Sequence, residues 1–285
     1  MNDTLGSFPI DACVLEIGSR YDENMKREND APVDRQFCTN LARGLKVLRC
    51  FGPRDDWLSN KEIAERSGLP RPTVSRLTYT LVSLGYLSFD VRVRKYALGT
   101  GVLTIAYPLL ASIRIRQIAR PFMESLAQTA GGSVSVGVRD QLKIVYIETC
   151  RAPQGELTLP DVGLILPLAE SAVGRAYLAM CSRDERRMLL NQLRVADPAR
   201  SGAMLAGIRS DQEHYARHGF SRSYGEVRPD VNAVGVALRD EPSGKIFSFS
   251  FSVPARLASI KRLDSEIGPA LVATVREIDD SLHSR

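Results

Sequence analysis

From Phe37 onward the apolar residues fall at spacings of three and four. In NLARGLKVLRCF, Leu41, Leu45, Leu48 and Phe51 share one helical face, and GPRDD then stops the helix. LSNKEIAERSG follows, with Ser59 and, three residues on, Glu62, the reciprocal arrangement that satisfies free amides at a helix start; Gly68 marks its end. After a short turn Pro72 stands at a first helical position, where a missing N–H costs nothing. Val74, Leu77, Leu81 and Leu84 form the apolar stripe of a helix running to about Leu84. The period then changes to two: GYLSFDVRVRKYALG alternates Val91 and Val93 with Arg92 and Arg94 between turn-forming residues, as a two-stranded ribbon does. Three helices followed by a basic ribbon predict a winged helix-turn-helix.

Residues 101–120 are helical in pattern, with an interruption at Pro108, and carry more apolar surface than a plain linker needs, which predicts a dimerising connector. A second module is expected from Pro121. RPFMESLAQTAGG is an amphipathic helix ended by glycines, and SVSVGVRDQLKIVYIET reads as a hairpin turning at Asp140 and Gln141. Further strands are expected at Glu156–Leu159, Asn232–Arg239 and 245–254, with helices at 171–181, 184–193, 210–218 and 260–284. Strands interspersed with helices, starting from a hairpin, predict an α+β domain built on a largely antiparallel sheet. The expected organisation is a tail over 1–36, a winged helix over 37–100, a linker over 101–120 and this α+β domain over 121–285.

Composition and charge sharpen this picture. The chain has 285 residues, 44% hydrophobic and 25% charged, which is enough for two cores. Residues 37–100 hold eleven Lys/Arg against five Asp/Glu, whereas residues 1–36 hold four against eight. A basic module behind an acidic, flexible tail suits an anionic polymer as partner. Five widely spaced cysteines without a CxxC pair argue against a disulfide scaffold or a zinc ribbon and fit a reducing cytoplasm. No signal peptide and no membrane span are expected, since no run of about 18 apolar residues occurs.

In a winged helix the second helix of the motif enters the major groove with its N-terminal residues at base edges. Here that helix offers Arg71, Pro72, Thr73, Ser75, Arg76 and Tyr79, with Lys61 on the helix before it. An arginine can bridge guanine O6 and N7, worth roughly 1–3 kcal/mol of discrimination. Arg92, Arg94 and Lys95 on the wing would meet phosphates or the neighbouring minor groove. The alternative for the same residues is a solvated helix face and a charged hairpin edge that resists aggregation.

RGLKVLRCF, IAERSGLPRPTVSRLTYTLVSLGYL, YALG, LPLAESAVGRAYLA, HGFSRSYGEV and FSFSVPARL, in this order and spacing, resemble the IclR-type transcriptional regulators from about Leu41 to the C-terminus. The resemblance implies a winged helix-turn-helix, a linker helix and a C-terminal effector-binding domain similar to GAF and PAS sensors, assembled as dimers or dimers of dimers. Double-stranded operator DNA and a small-molecule effector are the implied partners. It also implies a pocket lined by Leu166, Ala172, Val173, Ser223, Val231, Ala233, Ser250 and Ser252. Ser248, Ser250 and Ser252 alternate with Phe247, Phe249 and Phe251, so one strand face presents hydroxyls, suited either to solvent or to a ligand. Members sensing small oxoacids tend to carry an acidic residue, a cysteine and a histidine where this chain has Ser223, Ala233 and Ala169. A larger or more apolar effector, an aromatic or aliphatic carboxylate, is expected.

Other chemistry has less support. His214 and His218 stand four apart on an expected helix but lack a third ligand or the Glu of a HExxH site. Cys150 and Cys181 read as small buried hydrophobes. With no Walker A, no GxGxxG after a strand and no GxSxG, neither a cofactor, a metal nor an enzyme activity is expected. A metabolite-binding protein or enzyme whose basic module serves only protein contacts remains the alternative to a DNA-binding regulator.

Overall fold

The computed structural model describes residues 36–52, 55–153 and 161–284. The tail expected over 1–36, but for Gln36, and the strand expected at Glu156–Leu159 lie outside these residues. The chain divides into two compact units between Ala111 and Ser112.

The first unit opens with helix α1 (Thr39–Leu48), α2 (Asn60–Ser67) and α3 (Arg71–Ser83), followed by strands β1 (Leu87–Asp90) and β2 (Lys95–Leu98). The cap expected at α2 is complete: Ser59 Oγ accepts the Glu62 N–H and the Glu62 carboxylate accepts the Ser59 N–H. These bonds hold the Glu62 carboxyl below the usual carboxylate range. Gly68 closes the helix at φ 64°, a left-handed conformation that suits glycine. Val47, Leu58, Ile63, Val74, Leu81 and Leu87 form the core. Behind it, Arg66 clamps Asp55 and also donates to the Cys50 carbonyl at 2.9 Å.

Three expectations need correction here. On α1, Leu41 and Leu45 are exposed and Val47 is the fully buried residue, because the helix is rotated to set Val47 on the core. On α3, Leu84 falls just past the last helical residue and is exposed; Thr78 is buried instead, its hydroxyl satisfied by donation to the Val74 carbonyl at 3.0 Å. The Val/Arg alternation at 91–94 is not strand: pairing ends at Asp90 opposite Lys95, and Asp90 Oδ1 accepts the Arg92 N–H at 2.7 Å, turning the chain. Arg92 and Arg94 therefore sit on the loop at the wing's tip.

Gly99 and Gly101 close on the Gly85 carbonyl, where any Cβ would collide, and so pin the start of α4 (Gly101–Ser112) to the wing. Pro108 does not interrupt α4; the break comes at Ile113. Because Pro108 only forfeits one hydrogen bond on an exposed helix, the turn of chain survives it.

The second unit starts with α5 (Arg114–Ala130), seven residues before the expected Pro121, which lies inside the helix. Strands β3 (Ser133–Asp140), β4 (Lys143–Arg151), β5 (Ile165–Pro167), β6 (Ser221–Tyr224), β7 (Val231–Asp240) and β8 (Lys245–Pro254) form one antiparallel sheet in the order β5-β4-β3-β8-β7-β6. Short β5 and β6 were not anticipated. Helices α6 (Ala172–Met180), α7 (Arg183–Ala196) and α8 (Ser201–His218) lie between β5 and β6 in sequence, α8 starting nine residues before its expected beginning. The last helix, α9 (Gly268–His283), is entered through a turn at Ile260–Arg262 and a π-helical stretch at Leu263–Ile267.

The two sheet faces differ in kind. On one, Val134, Val136, Phe249 and Phe251 meet α5 and α9; Cys150 Sγ reaches the Arg120 carbonyl, and Arg116 and Arg120 both grip Glu148. The other face is made of small residues, and α6 packs on it.

Candidate functional site: a recognition helix with its wing, and a hydroxyl-lined sheet face

Along α3, Arg71, Pro72, Ser75, Arg76 and Tyr79 are exposed and Thr73 is half-buried on the flank; Tyr79 keeps 76% of its surface. The Asn60 amide donates to Ser75 Oγ at 3.0 Å, so Asn60 joins this surface although nothing in the sequence marked it beyond its place at the start of α2. Lys61 faces Glu65 at 3.8 Å, and Lys95 faces Glu62 at the same distance. Among the described residues Arg71, Arg76, Arg92 and Arg94 have no carboxylate partner, unlike Arg66, which is locked to Asp55. Four uncompensated guanidiniums on a helix mouth and a wing tip make a surface whose charge is left for an anion.

The small-residue face is a lattice set by strand register. Ser223, Ala233, Ser252 and Ser133 stand opposite one another across β6, β7, β8 and β3; Ser221, Gly235, Ser250 and Ser135 form the next row; Ala237, Ser248 and Gly137 the third. The serines are not solvated: Ser248, Ser250 and Ser252 are 0%, 1% and 5% exposed. Ser223 Oγ donates to the Glu170 carbonyl at 2.8 Å, Ser135 shares a hydrogen with Thr149 at 2.9 Å and Ser250 with Tyr146 at 2.7 Å. The hydroxyls of Ser133, Ser248 and Ser252 have no hydrogen-bond partner among the described residues. Buried polar groups are normally paired, so three unpaired hydroxyls on one sheet face are unusual.

Helix α6 rests its first turn on this face. Gly235 makes that possible: a Cβ there would lie 2.4 Å from the Ala172 oxygen and 3.0 Å from the Val173 nitrogen. Ser171 caps the helix by accepting the Gly174 N–H at 3.1 Å, while the first-turn amides of Ala172 and Val173 have no acceptor among the described residues. Ala172, Val173, Ser223, Ala233, Ser250 and Ser252 are thereby brought together. Val231 lies one alternation beyond Ala233 on the same face, and Leu166, on β5 at the other sheet edge, reaches the group only through the apolar cluster it shares with Val173. Arg175, buried in α6, donates to the Ala169 and Arg222 carbonyls and pairs with Glu226, tying α6 to the turn after β6. Ala169, where oxoacid sensors carry histidine, is 1% exposed.

The remaining candidates are accounted for by packing. His214 stacks on His218 at 4.3 Å and meets Phe220 edge-on, and burial pushes its pKa down to about 4. Cys150 and Cys181 are buried thiols pushed up to about 11 and about 12 by burial. No group of three metal-ligating side chains occurs among the described residues, and no single described helix is long and apolar enough to cross a membrane.

A winged helix with an unpaired cationic face, joined to an antiparallel α+β domain with a hydroxyl-lined interior, defines a regulator class in which one unit holds DNA and the other senses a ligand. Comparison with known proteins agrees. Residues 40–91 match the IclR helix-turn-helix domain and residues 108–280 match the bacterial transcriptional regulator IclR C-terminal domain. The HTH-type transcriptional regulator TsaQ1/TsaQ2 of Comamonas testosteroni is 34% identical over 86% of this chain and 88% of its own. The crystal structure of an IclR family regulator from Brucella abortus is 39% identical, with a TM-score of 0.75 over 88% of this chain and 96% of that one. An IclR homologue from Microbacterium hydrocarbonoxydans, solved with 4-hydroxybenzoate, shares the fold at 22% identity and a TM-score of 0.67, over 87% and 100% of the two chains. The chain belongs to the IclR family of bacterial transcriptional regulators, and its function is regulatory rather than enzymatic.

Proposed function

We propose that this regulator reads a pseudo-palindromic operator through α3 and the wing of two protomers, in the cytoplasm, and that a carboxylate effector on the serine face shifts the balance between two arrangements of the DNA-binding arms. The observation that carries the DNA side is the set of four guanidiniums, Arg71, Arg76, Arg92 and Arg94, without carboxylate partners among the described residues. Arg71, Arg76, Thr73 and Ser75 supply base-edge and phosphate donors, Asn60, Pro72 and Tyr79 complete the helix surface, and Lys61, Arg92, Arg94 and Lys95 hold the backbone.

Assembly as a dimer, or a dimer of dimers, is supported by α4, none of whose residues is buried and whose Leu103, Ile105 and Tyr107 are each more than 60% exposed. Apolar side chains in such number on one helix favour a second copy as cover.

For the effector, the free amides of Ala172 and Val173 at a helix N-terminus suit a carboxylate. Ser223, Ser250 and Ser252 offer hydroxyls, and Leu166, Val231 and Ala233 supply the apolar wall, a mixture that suits an aromatic acid. A ligand alters DNA affinity only as far as it binds the two arrangements unequally. The experiment is a titration of duplex DNA at several salt concentrations, with and without 4-hydroxybenzoate, on the native protein and on Ser250→Leu. A steep fall of affinity with salt, and an effector response lost in Ser250→Leu while DNA binding persists, is the expected result. A response that survives Ser250→Leu removes the effector assignment.

A further inference from the structure

A serine or threonine within a helix can spend its hydroxyl proton on the helix itself, by donating to the carbonyl four residues back. On α3 Thr78, Thr80 and Ser83 do so, donating to the Val74, Arg76 and Tyr79 carbonyls at 3.0, 3.1 and 2.9 Å. Ser75 behaves differently. Among the described residues no bond joins its hydroxyl to the Arg71 carbonyl, and its Oγ instead accepts the Asn60 amide at 3.0 Å. Asn60 is the first residue of α2 but has no part in that helix's cap, which Ser59 Oγ and the Glu62 carboxylate complete between them. Asparagine is also a poorer helix former than alanine. Neither the cap nor helix propensity gives a reason for an asparagine here; the bond to Ser75 does.

A hydroxyl has one proton and two lone pairs. With one lone pair filled by Asn60 and the Arg71 carbonyl unused, the Ser75 proton is left for an acceptor outside the chain. Accepting one bond also polarises the O–H and strengthens it as a donor. Ser75 is exposed and stands one turn from Arg71 on one side and one turn from Tyr79 on the other. Resting on the DNA-reading surface described above, we infer that Asn60 is a positioning residue for base recognition, holding Ser75 as a fixed hydrogen-bond donor to one base edge. That edge then carries an acceptor, N7 or O6 of a purine or O4 of thymine. Cytosine, whose major-groove edge offers only the N4 donor, is disfavoured there because the Ser75 proton would lose its acceptor. The division of labour follows the motif, in which the N-terminal part of the second helix faces the groove while the first helix crosses the DNA backbone. The second Asn60 amide hydrogen has no acceptor among the described residues and is on hand for a phosphate.

The test measures binding to an operator selected from a random pool and to each of its single-base-pair variants, so that preference is read as a ratio of affinities. The proteins compared are the native chain, Ser75→Ala, Asn60→Ala, Asn60→Asp, and Asn60→Ala combined with Ser75→Ala. In Ser75→Ala the preference at one base pair is expected to fall about fivefold, the worth of one hydrogen bond. Asn60→Ala should weaken preference at that same base pair and at no other, and the double variant should lose no more than Ser75→Ala alone. Asn60→Asp separates positioning from helix stability. An aspartate in the first turn favours α2, yet it can only accept, so it draws the Ser75 proton inward and the same preference should disappear. If Asn60→Ala does not fold, Asn60→Asp reads the same comparison. Should the Asn60 variants keep the preference that Ser75 sets, change a different base pair, or add their loss to that of Ser75→Ala, the positioning role is overturned while reading by α3 stands. It is overturned equally if Ser75→Ala alters no base pair. Should the native protein distinguish no duplex from another, or Arg76→Ala leave every preference untouched, reading by α3 fails and the role of Asn60 with it.

Discussion

Gly235→Ala offers the most direct way to disturb the effector site without touching a polar group. The new methyl carbon would stand 2.4 Å from the Ala172 oxygen, 2.6 Å from its carbonyl carbon and 3.0 Å from the Val173 nitrogen. Ordinary contact begins near 3.4 Å, so the first turn of α6 has to lift by about 1 Å, and backbone atoms cannot rotate aside as a side chain would. Overpacking of this sort costs about 1–3 kcal/mol. For a unit the size of residues 112–285 each kcal/mol lowers the midpoint by about 2–4 °C, giving a loss of roughly 2–12 °C. A binding constellation tolerates about 0.5 Å of displacement, so effector affinity should fall at least tenfold. DNA affinity in the absence of effector should change much less, because the clash lies wholly within the second unit. Differential scanning fluorimetry gives the midpoint, and titration with 4-hydroxybenzoate gives the affinity. An unchanged midpoint together with unchanged effector affinity would refute the claim that α6 seated on Gly235 builds the site.

Four further outcomes are expected. Arg76→Ala should relax operator preference more than it weakens nonspecific binding, measured by competition between selected and random duplexes; equal losses would deny Arg76 a base contact. Arg92→Ala and Arg94→Ala should each lower the slope of log affinity against log salt by about one, with little change in sequence preference. Asp55→Asn should remove part of the acid lability of the winged helix. Burial works to raise the Asp55 carboxyl, but the Arg66 and Gly52 hydrogen bonds and the Arg66 charge outweigh it and hold it below 3.8, so its stabilisation is present above that pH and lost as pH falls through the lowered value. His214 works in the opposite sense: with a folded pKa near 4 against 6.5 unfolded, the unfolded chain takes up the proton first, and stability declines as pH falls from 6.5 toward 4. His214→Phe should flatten that part of a midpoint-versus-pH curve.

Local signals carried much of this fold. The Ser59/Glu62 cap and the Gly68 stop form where the pattern predicts, and the β3–β4 hairpin forms with its turn one residue later than expected, at Gln141 and Leu142, because Asp140 still pairs with Lys143. The wing shows the limit of period-two reasoning: the alternation at 91–94 is real, but the Asp90 carboxylate captures the Arg92 amide and turns the chain before those residues can pair. The rotation of α1 and the exposure of Leu84 depend on which side the neighbouring helices occupy, which no spacing records. The serine strand is the sharpest case. Its two faces were legible, yet whether the hydroxyl face meets water or protein is decided by α6, whose seat on that face depends on Gly235 at a distance in sequence. Asn60 and Tyr146 were illegible for the same reason, since each acquires its place through a partner fifteen or more residues away, Ser75 for one and Ser250 for the other.

The central claim, that one chain joins DNA reading by α3 and the wing to ligand sensing on the serine face, is tested most directly by anisotropy titration of a duplex operator, selected from a random pool, with and without 4-hydroxybenzoate. The native protein should bind with an affinity that falls linearly in log salt and shifts several-fold with the acid. Arg76→Ala should lose the operator preference, and Ser250→Leu should lose only the shift. Absence of duplex binding at low salt, or binding that neither Arg76→Ala nor Ser250→Leu alters, would contradict the account.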